Sequence, residues 1–443
     1  MTSFNDWTAP GIELKTPSVY KANTLPTRPL HRCICSFILL LLVIGTLYDV
    51  IIHQPQLKAI KQQKESEAQE PNGTGTIQDE RTPLVNAFSR EETLAAKEGI
   101  TGRILLCFSL YTHTGKLLST KQAPGSIKCL HGIRFISMTW VILGHTYDTA
   151  EFHLDNSLQF LEIVPTFTIQ AINNGYVAVD SFFFLSGLLM SYLLIKQIEK
   201  NKERGQSVPF WKVYVHRYLR WQIWGIAVKL ALLLASFITT AVISWHYDLN
   251  WSLTSNVDKV YIKPYCRIGP YLVGVAVGWL LIKMKGKQTR SVTLKLLMAV
   301  GWLVATASAV AVVYSTYGMY HGTTLQTESE NVLYLTVHRT VWAMALGWVV
   351  LACYYGYGGV VDTILSWDAW VPLSRLTYCA YLVHIPIVIA AEYFAREVPV
   401  HYTTFTMIYF FLGNVTLSYG LAFLVSVAVE APLMGVEKII FSK

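Results

Sequence analysis

Residues 133–145 read IRFISMTWVILGH, an apolar run with an arginine near its start and a histidine at its end. A helix of this composition belongs at membrane depth, where ionisable groups are expensive and mark function by default. At about 100° and 1.5 Å per residue, the step from Arg134 to His145 returns to within roughly 20° of the starting direction and advances about 16 Å. Both side chains therefore share one helix face, the arginine near one interface and the histidine near mid-bilayer. The imidazole exchanges protons near neutral pH, whereas the guanidinium keeps its charge. The pattern suits a cation that holds an anionic group while the histidine does chemistry on it.

The rest of the chain agrees with a membrane setting. Of its 443 residues 53% are hydrophobic and only 14% charged, and the mean hydropathy is +0.38. Stretches of about 20 apolar residues, each enough for roughly 30 Å of hydrocarbon, recur along it. The fold class expected is all-α: a polytopic membrane helix bundle. Nine spans can be marked, at 33–52, 132–149, 175–195, 221–245, 267–284, 293–315, 332–355, 371–393 and 405–430. The formal charge of +8 sits mainly in loops between spans, with no basic patch interleaved with aromatics, so it reads as topology and not as a nucleic-acid footprint. The seven cysteines, at 33, 35, 107, 129, 266, 353 and 379, lack metal-ligand spacing, and no disulfide framework or metal site is expected. The first apolar run begins near Cys33 and is long for a signal sequence, so it is read as a genuine span.

The predicted organisation is an N-terminal tail (1–32), a first span (33–52), a polar linker (53–128), a helical bundle (129–437) and a tail (438–443). The linker carries ten Lys/Arg, includes KAIKQQKESEAQE, and is read as partly disordered; ILLCFSLYTH within it is too short to span. Loop 150–174 has no Lys or Arg and loop 196–220 has seven, so the positive-inside rule places the basic loops, KMKGKQTR and the C-terminal tail in the cytoplasm. The N-terminal tail disagrees, since alternation puts it outside although it carries Lys15, Lys21, Arg28 and Arg32. Asn250-Trp251-Ser252 falls in a predicted outside loop and is the expected glycosylation site. Asn72-Gly73-Thr74 falls inside and is not. Plasma membrane and endomembrane both fit.

Further polar groups lie inside the spans. Asp180, in NGYVAVDSFFFLSGLLMSYLLIK, is placed to pair with His145 or Arg134; Ser186-Gly187 either serves the site or lets helices pack closely. Arg217 and Arg220 are three apart, on one face at the cytoplasmic mouth, where they grip donor phosphates or simply anchor the helix. Arg375, Tyr378 and His384 share LSRLTYCAYLVHIP, with His384 about 13 Å deeper than Arg375. His338-Arg339 reads as an interfacial anchor, and Glu430 as facing the interface. No GxSxG elbow, Walker loop, HExxH helix or paired CxxC competes.

These segments, CLHGIRFISMTWVILGHTYD, NGYVAVDSFFFLSGLLMSYLLIK, YIKPYCRIGPYLVGVAVGWLL and LSRLTYCAYLVHIPIVI, resemble the nose-resistant-to-fluoxetine branch of the acyltransferase-3 membrane proteins, over roughly residues 33–443. The resemblance implies transfer of an acyl group from a cytoplasmic donor, acyl-CoA, to a hydroxyl on a lipid or carbohydrate acceptor, with no bound cofactor. It makes His145 the catalytic histidine and Arg134 its partner. It places Phe184, Ser186 and Gly187 along the site and Arg217 and Arg220 on the donor side. The chain departs from that family in two places. No cysteine-rich domain precedes Cys33, and Arg220 runs directly into Trp221 where the family has about two more helices. An even number leaves downstream sidedness intact but puts activity in doubt. The alternative function is a non-catalytic membrane protein that binds or moves lipids or small hydrophobic molecules, or an inactive truncated form.

Overall fold

The computed structural model describes residues 27–67, 99–122, 125–150, 154–203, 223–249, 257–284, 292–320, 327–395 and 401–441. Its long elements in chain order are α1 (Thr27–Tyr48), α2 (Gln54–Glu67), α3 (Ile100–Leu106), α4 (Leu110–Leu118), α5 (Cys129–Ala150), α6 (Val177–Glu203), α7 (Ile223–His246), α8 (Ile268–Lys283), α9 (Val292–Tyr314), α10 (Glu328–Tyr354), α11 (Trp370–Ala395), α12 (Thr404–Val425) and α13 (Ala431–Phe441). Each of the nine predicted spans coincides with a helix, and among the described residues seven helices are long and apolar enough to cross a bilayer. The two that fall short are informative. Helix α5 carries His131, Arg134, His145 and Asp148, which lower its mean hydropathy, and packs among α6, α11 and α12. Helix α8 has 16 residues, which rise only about 24 Å against a hydrocarbon core of about 30 Å.

The chain divides into two compact units, Met1–His113 with Ala428–Lys443, and Thr114–Val427. In the first, α1 continues through the single π-turn Asp49–His53 into α2, and the apolar stretch extends over Arg32–Ile60. Residues 58–67, expected within a partly disordered linker, are therefore helical, as is most of ILLCFSLYTH, which forms parts of α3 and α4. A buried carboxylate ties this polar stretch to the first span: Asp49 accepts hydrogen bonds from Ser109 Oγ, from Thr112 Oγ1 at 2.5 Å and from Gln54 Nε2 at 3.0 Å. A charge at this depth demands such partners, and the polar stretch after the span supplies them.

In the second unit α8 lies along α6 with almost no gap. A Cβ at Gly274 would strike the Phe184 carbonyl, and one at Gly278 would strike Ser191 Oγ and the Leu188 carbonyl. The Gly274-x-x-x-Gly278 spacing puts both on one face, which lets the backbones approach and gain dispersion contact that lipid-facing side chains cannot supply. Phe184, Leu185, Leu188, Val277, Leu281, Ala343 and Val350 fill the core where α6, α8 and α10 meet. A second cluster, Met138, Ile142, Leu376, Cys379, Ala380, Tyr419 and Ala422, joins α5 to α11 and α12.

Candidate functional site

Helices α5 and α11 bring His145 and His384 together, with ring centroids 5.3 Å apart. His384 is almost completely buried, and its Nδ1 lies 2.7 Å from the Tyr381 carbonyl. A carbonyl only accepts, so Nδ1 carries the hydrogen and Nε2 of the neutral ring presents its lone pair. That Nε2 is buried and has no hydrogen-bond partner. His145 is half-exposed, with Nδ1 3.8 Å from the Asp148 carboxylate one turn on. Asn414 of α12 donates to Oγ1 of Thr146, the residue after His145, at 3.0 Å. Pro386, two residues past His384, lies inside α11 and leaves the Leu382 carbonyl without its helical donor. The result is one half-exposed imidazole, backed by a second whose tautomer is fixed.

At the other end of α5, Arg134 is half-buried and has no hydrogen-bond or ion-pair partner among the described residues. One turn earlier, His131 Nδ1 meets Ser374 Oγ at 2.5 Å. Arg375 is not available to a ligand in the same way. Its guanidinium donates to the carbonyls of Lys116, Leu117, Ser119 and Lys121 at 2.6, 3.0, 2.7 and 3.1 Å, closing the C-terminal end of α4. Those carbonyls lack intrahelical donors, and a cation there also complements the helix dipole.

Other expected site residues lie elsewhere. Asp180, expected to pair with His145 or Arg134, is fully buried between Arg267 and Arg339, its oxygens 3.8 and 3.9 Å from their Nε atoms. The start of α6 points this carboxylate at α8 and α10, not at α5. Phe184 and Gly187 belong to the packing of α6: Phe184 is fully buried in the core, and a Cβ at Gly187 would meet the Tyr271 carbonyl. Ser186, between them, faces outward. Tyr378 is 62% exposed on the outer face of α11, a turn and a half from His384. His338 and Arg339, expected at the interface, are both buried. Arg217, Arg220 and Asn250 lie outside the described residues, as does the junction between Arg220 and Trp221.

Sequence reasoning passed over Arg267, which lies 3.8 Å from Asp180, and Asn414, which bonds to Thr146 beside His145. The signal for Arg267 was present: a cation immediately before the apolar run of α8, where an interfacial anchor and a buried charge look alike. Among the described residues no group of three or more His, Cys, Asp or Glu could hold a metal ion.

No family model matches the chain, and no solved structure matches it. Two curated proteins of Caenorhabditis elegans are similar to it. "Nose resistant to fluoxetine protein 6" is 29% identical over 452 aligned positions, covering 77% of this chain and 54% of that protein. "Regulator of hypoxia-inducible factor 1" is 27% identical over 137 positions, 31% of this chain and 26% of that protein. The chain thus spans about half the length of the first relative and about a quarter of the second. Since 77% of 443 residues is about 341, about 110 of the 452 aligned positions have no counterpart in this chain.

Proposed function

We propose that the chain is a membrane O-acyltransferase of the acyltransferase-3 kind, moving an acyl group from cytoplasmic acyl-CoA to a hydroxyl on a lipid or carbohydrate acceptor. The observation that carries the reading is the pairing of His145 with His384 on α5 and α11, with Arg134, unpartnered among the described residues, about 16 Å away on the same face of α5. In this scheme Arg134, with Arg217 and Arg220, holds the anionic end of the donor at the cytoplasmic mouth. The thioester then reaches the imidazoles. A neutral imidazole takes the acceptor's hydroxyl proton as the oxygen attacks the thioester carbonyl. The new C–O bond forms, the C–S bond breaks, and the departing thiolate recovers the proton from the imidazolium. His145, half-exposed, takes this role, and His384 stands behind it with an Nε2 lone pair oriented and unused.

The test is transfer of a labelled acyl group from acyl-CoA into membrane lipid and glycan by wild type and by His145→Ala. Undiminished transfer in the variant would sink the reading.

A second reading is favoured by the aligned positions that have no counterpart here. On this reading the chain is a non-catalytic protein that binds or moves lipids or small hydrophobic molecules, in keeping with the first relative's name. Turnover of acyl-CoA by the purified chain in detergent would exclude it. On either reading the bundle sits in a plasma or internal membrane with its C-terminus in the cytoplasm.

A further inference from the structure

Away from the histidine pair, where α6 and α8 begin and the first turns of α10 pass, three charged side chains lie in the interior. Asp180 is fully buried, Arg267 is 6% exposed and Arg339 is 4% exposed. Both arginines address the carboxylate through Nε, at 3.8 and 3.9 Å. A charge-assisted N–H···O bond measures about 2.7–2.9 Å, so neither contact satisfies its donor. Nε and Nη2 of Arg267 and Nε and Nη1 of Arg339 are buried without a hydrogen-bond partner. The Tyr261 ring lies 3.9 Å from the Arg267 guanidinium and 5.7 Å from that of Arg339, shielding the cations without supplying an acceptor.

The charges do not balance. Two guanidiniums and one carboxylate leave one net positive charge in the interior, and an arginine does not relieve the cost by losing a proton. A purely structural ion triad would be expected to close its hydrogen bonds. This one does not: Nη2 of Arg267, Nη1 of Arg339 and both oxygens of Asp180 are buried without a hydrogen-bond partner among the described residues.

We propose that Arg267 and Arg339, spaced by Asp180, form an anion site that takes one oxyanion, a carboxylate or a phosphate. A monoanion cancels the excess charge and gives the terminal nitrogens their acceptors. Asp180 sets the separation of the two guanidiniums and limits the site to one weakly charged guest. The site shares no residue with the histidine pair and does not depend on the transfer reaction.

The test uses the full chain purified in detergent, with inorganic phosphate and acetate as soluble probes against chloride at equal ionic strength. A parallel arm uses phosphatidic acid in phosphatidylcholine nanodiscs. Saturable binding of one anion per chain is expected, weakened by about tenfold or more in Arg339→Gln, the loss for one charge-assisted hydrogen bond. Asp180→Asn removes repulsion and no donor, so binding should tighten, and the variant's unfolding temperature should rise more with phosphate than the wild type's does. If Arg339→Gln does not fold, Asp180→Asn alone decides. Phosphatidic acid that phosphate and acetate fail to displace assigns the site to a lipid headgroup; displacement assigns it to a soluble anion. No saturable binding of any probe, or an affinity unchanged in Asp180→Asn, overturns the proposal.

Discussion

His145 and His384 face each other from α5 and α11 with ring centroids 5.3 Å apart, yet they are not equivalent. The Tyr381 carbonyl fixes the His384 tautomer and points a bare lone pair into the interior, while His145 stands half-exposed beside Asp148. One ring is set by the backbone of its own helix, the other by what approaches it.

Replacing His384 by Gln keeps a polar side chain of similar reach and removes the imidazole. If the ring moves a proton, acyl transfer at saturating donor falls by about 10²- to 10⁴-fold. A rate within a factor of two of wild type would remove His384 from the chemistry.

Arg134→Gln breaks no bond that the described residues make, so thermal stability should be unchanged. Its effect should fall on the KM for acyl-CoA, raised by about tenfold for one lost charge-assisted contact, with kcat nearly intact. Arg134→Lys should recover part of it, because the charge remains and only the planar fork is lost.

The glycine seam yields a pair of opposite outcomes. Gly274→Leu drives a side chain into the Phe184 carbonyl of α6, where backbone cannot yield, and should lower stability by more than the usual 1–3 kcal/mol or so of core overpacking. Gly413→Ala, in α12, meets nothing within 4 Å and should be neutral or stabilising by up to about 1 kcal/mol. Unfolding in detergent, followed by circular dichroism, separates the two.

Arg375→Lys retains charge but cannot serve four carbonyls at once. Hydrogen exchange should quicken across residues 116–122, with a local loss of about 1–3 kcal/mol. Exchange there at the wild-type rate would show that the carbonyls find other donors.

Helix existence was legible because every span announces itself by apolar length, and α5 by the two ionisable groups that share its face. What the groups touch was not legible. Asp180 could be placed at a depth but not aimed, since the neighbour of α6 at that level depends on which helix slides into its glycine groove. His338 and Arg339 looked like interfacial anchors, and Arg375 could be placed on its helix but not assigned a partner, because a cation in a span reads the same whether it faces water, a carboxylate or the open end of α4. His384 could not be read as structural or working from its position alone; in the structure Nδ1 is committed to the Tyr381 carbonyl, while Nε2 has no hydrogen-bond partner among the described residues.

Pro386 gives α11 an uneven stiffness. The helical ladder is already interrupted at the Leu382 carbonyl, so bending there breaks no further backbone bond, whereas bending a turn earlier would. His384 rides on that joint. The gap between the two imidazoles is therefore the most compliant dimension of α11, while the anchorage of its other end by Ser374 and Arg375 stays rigid.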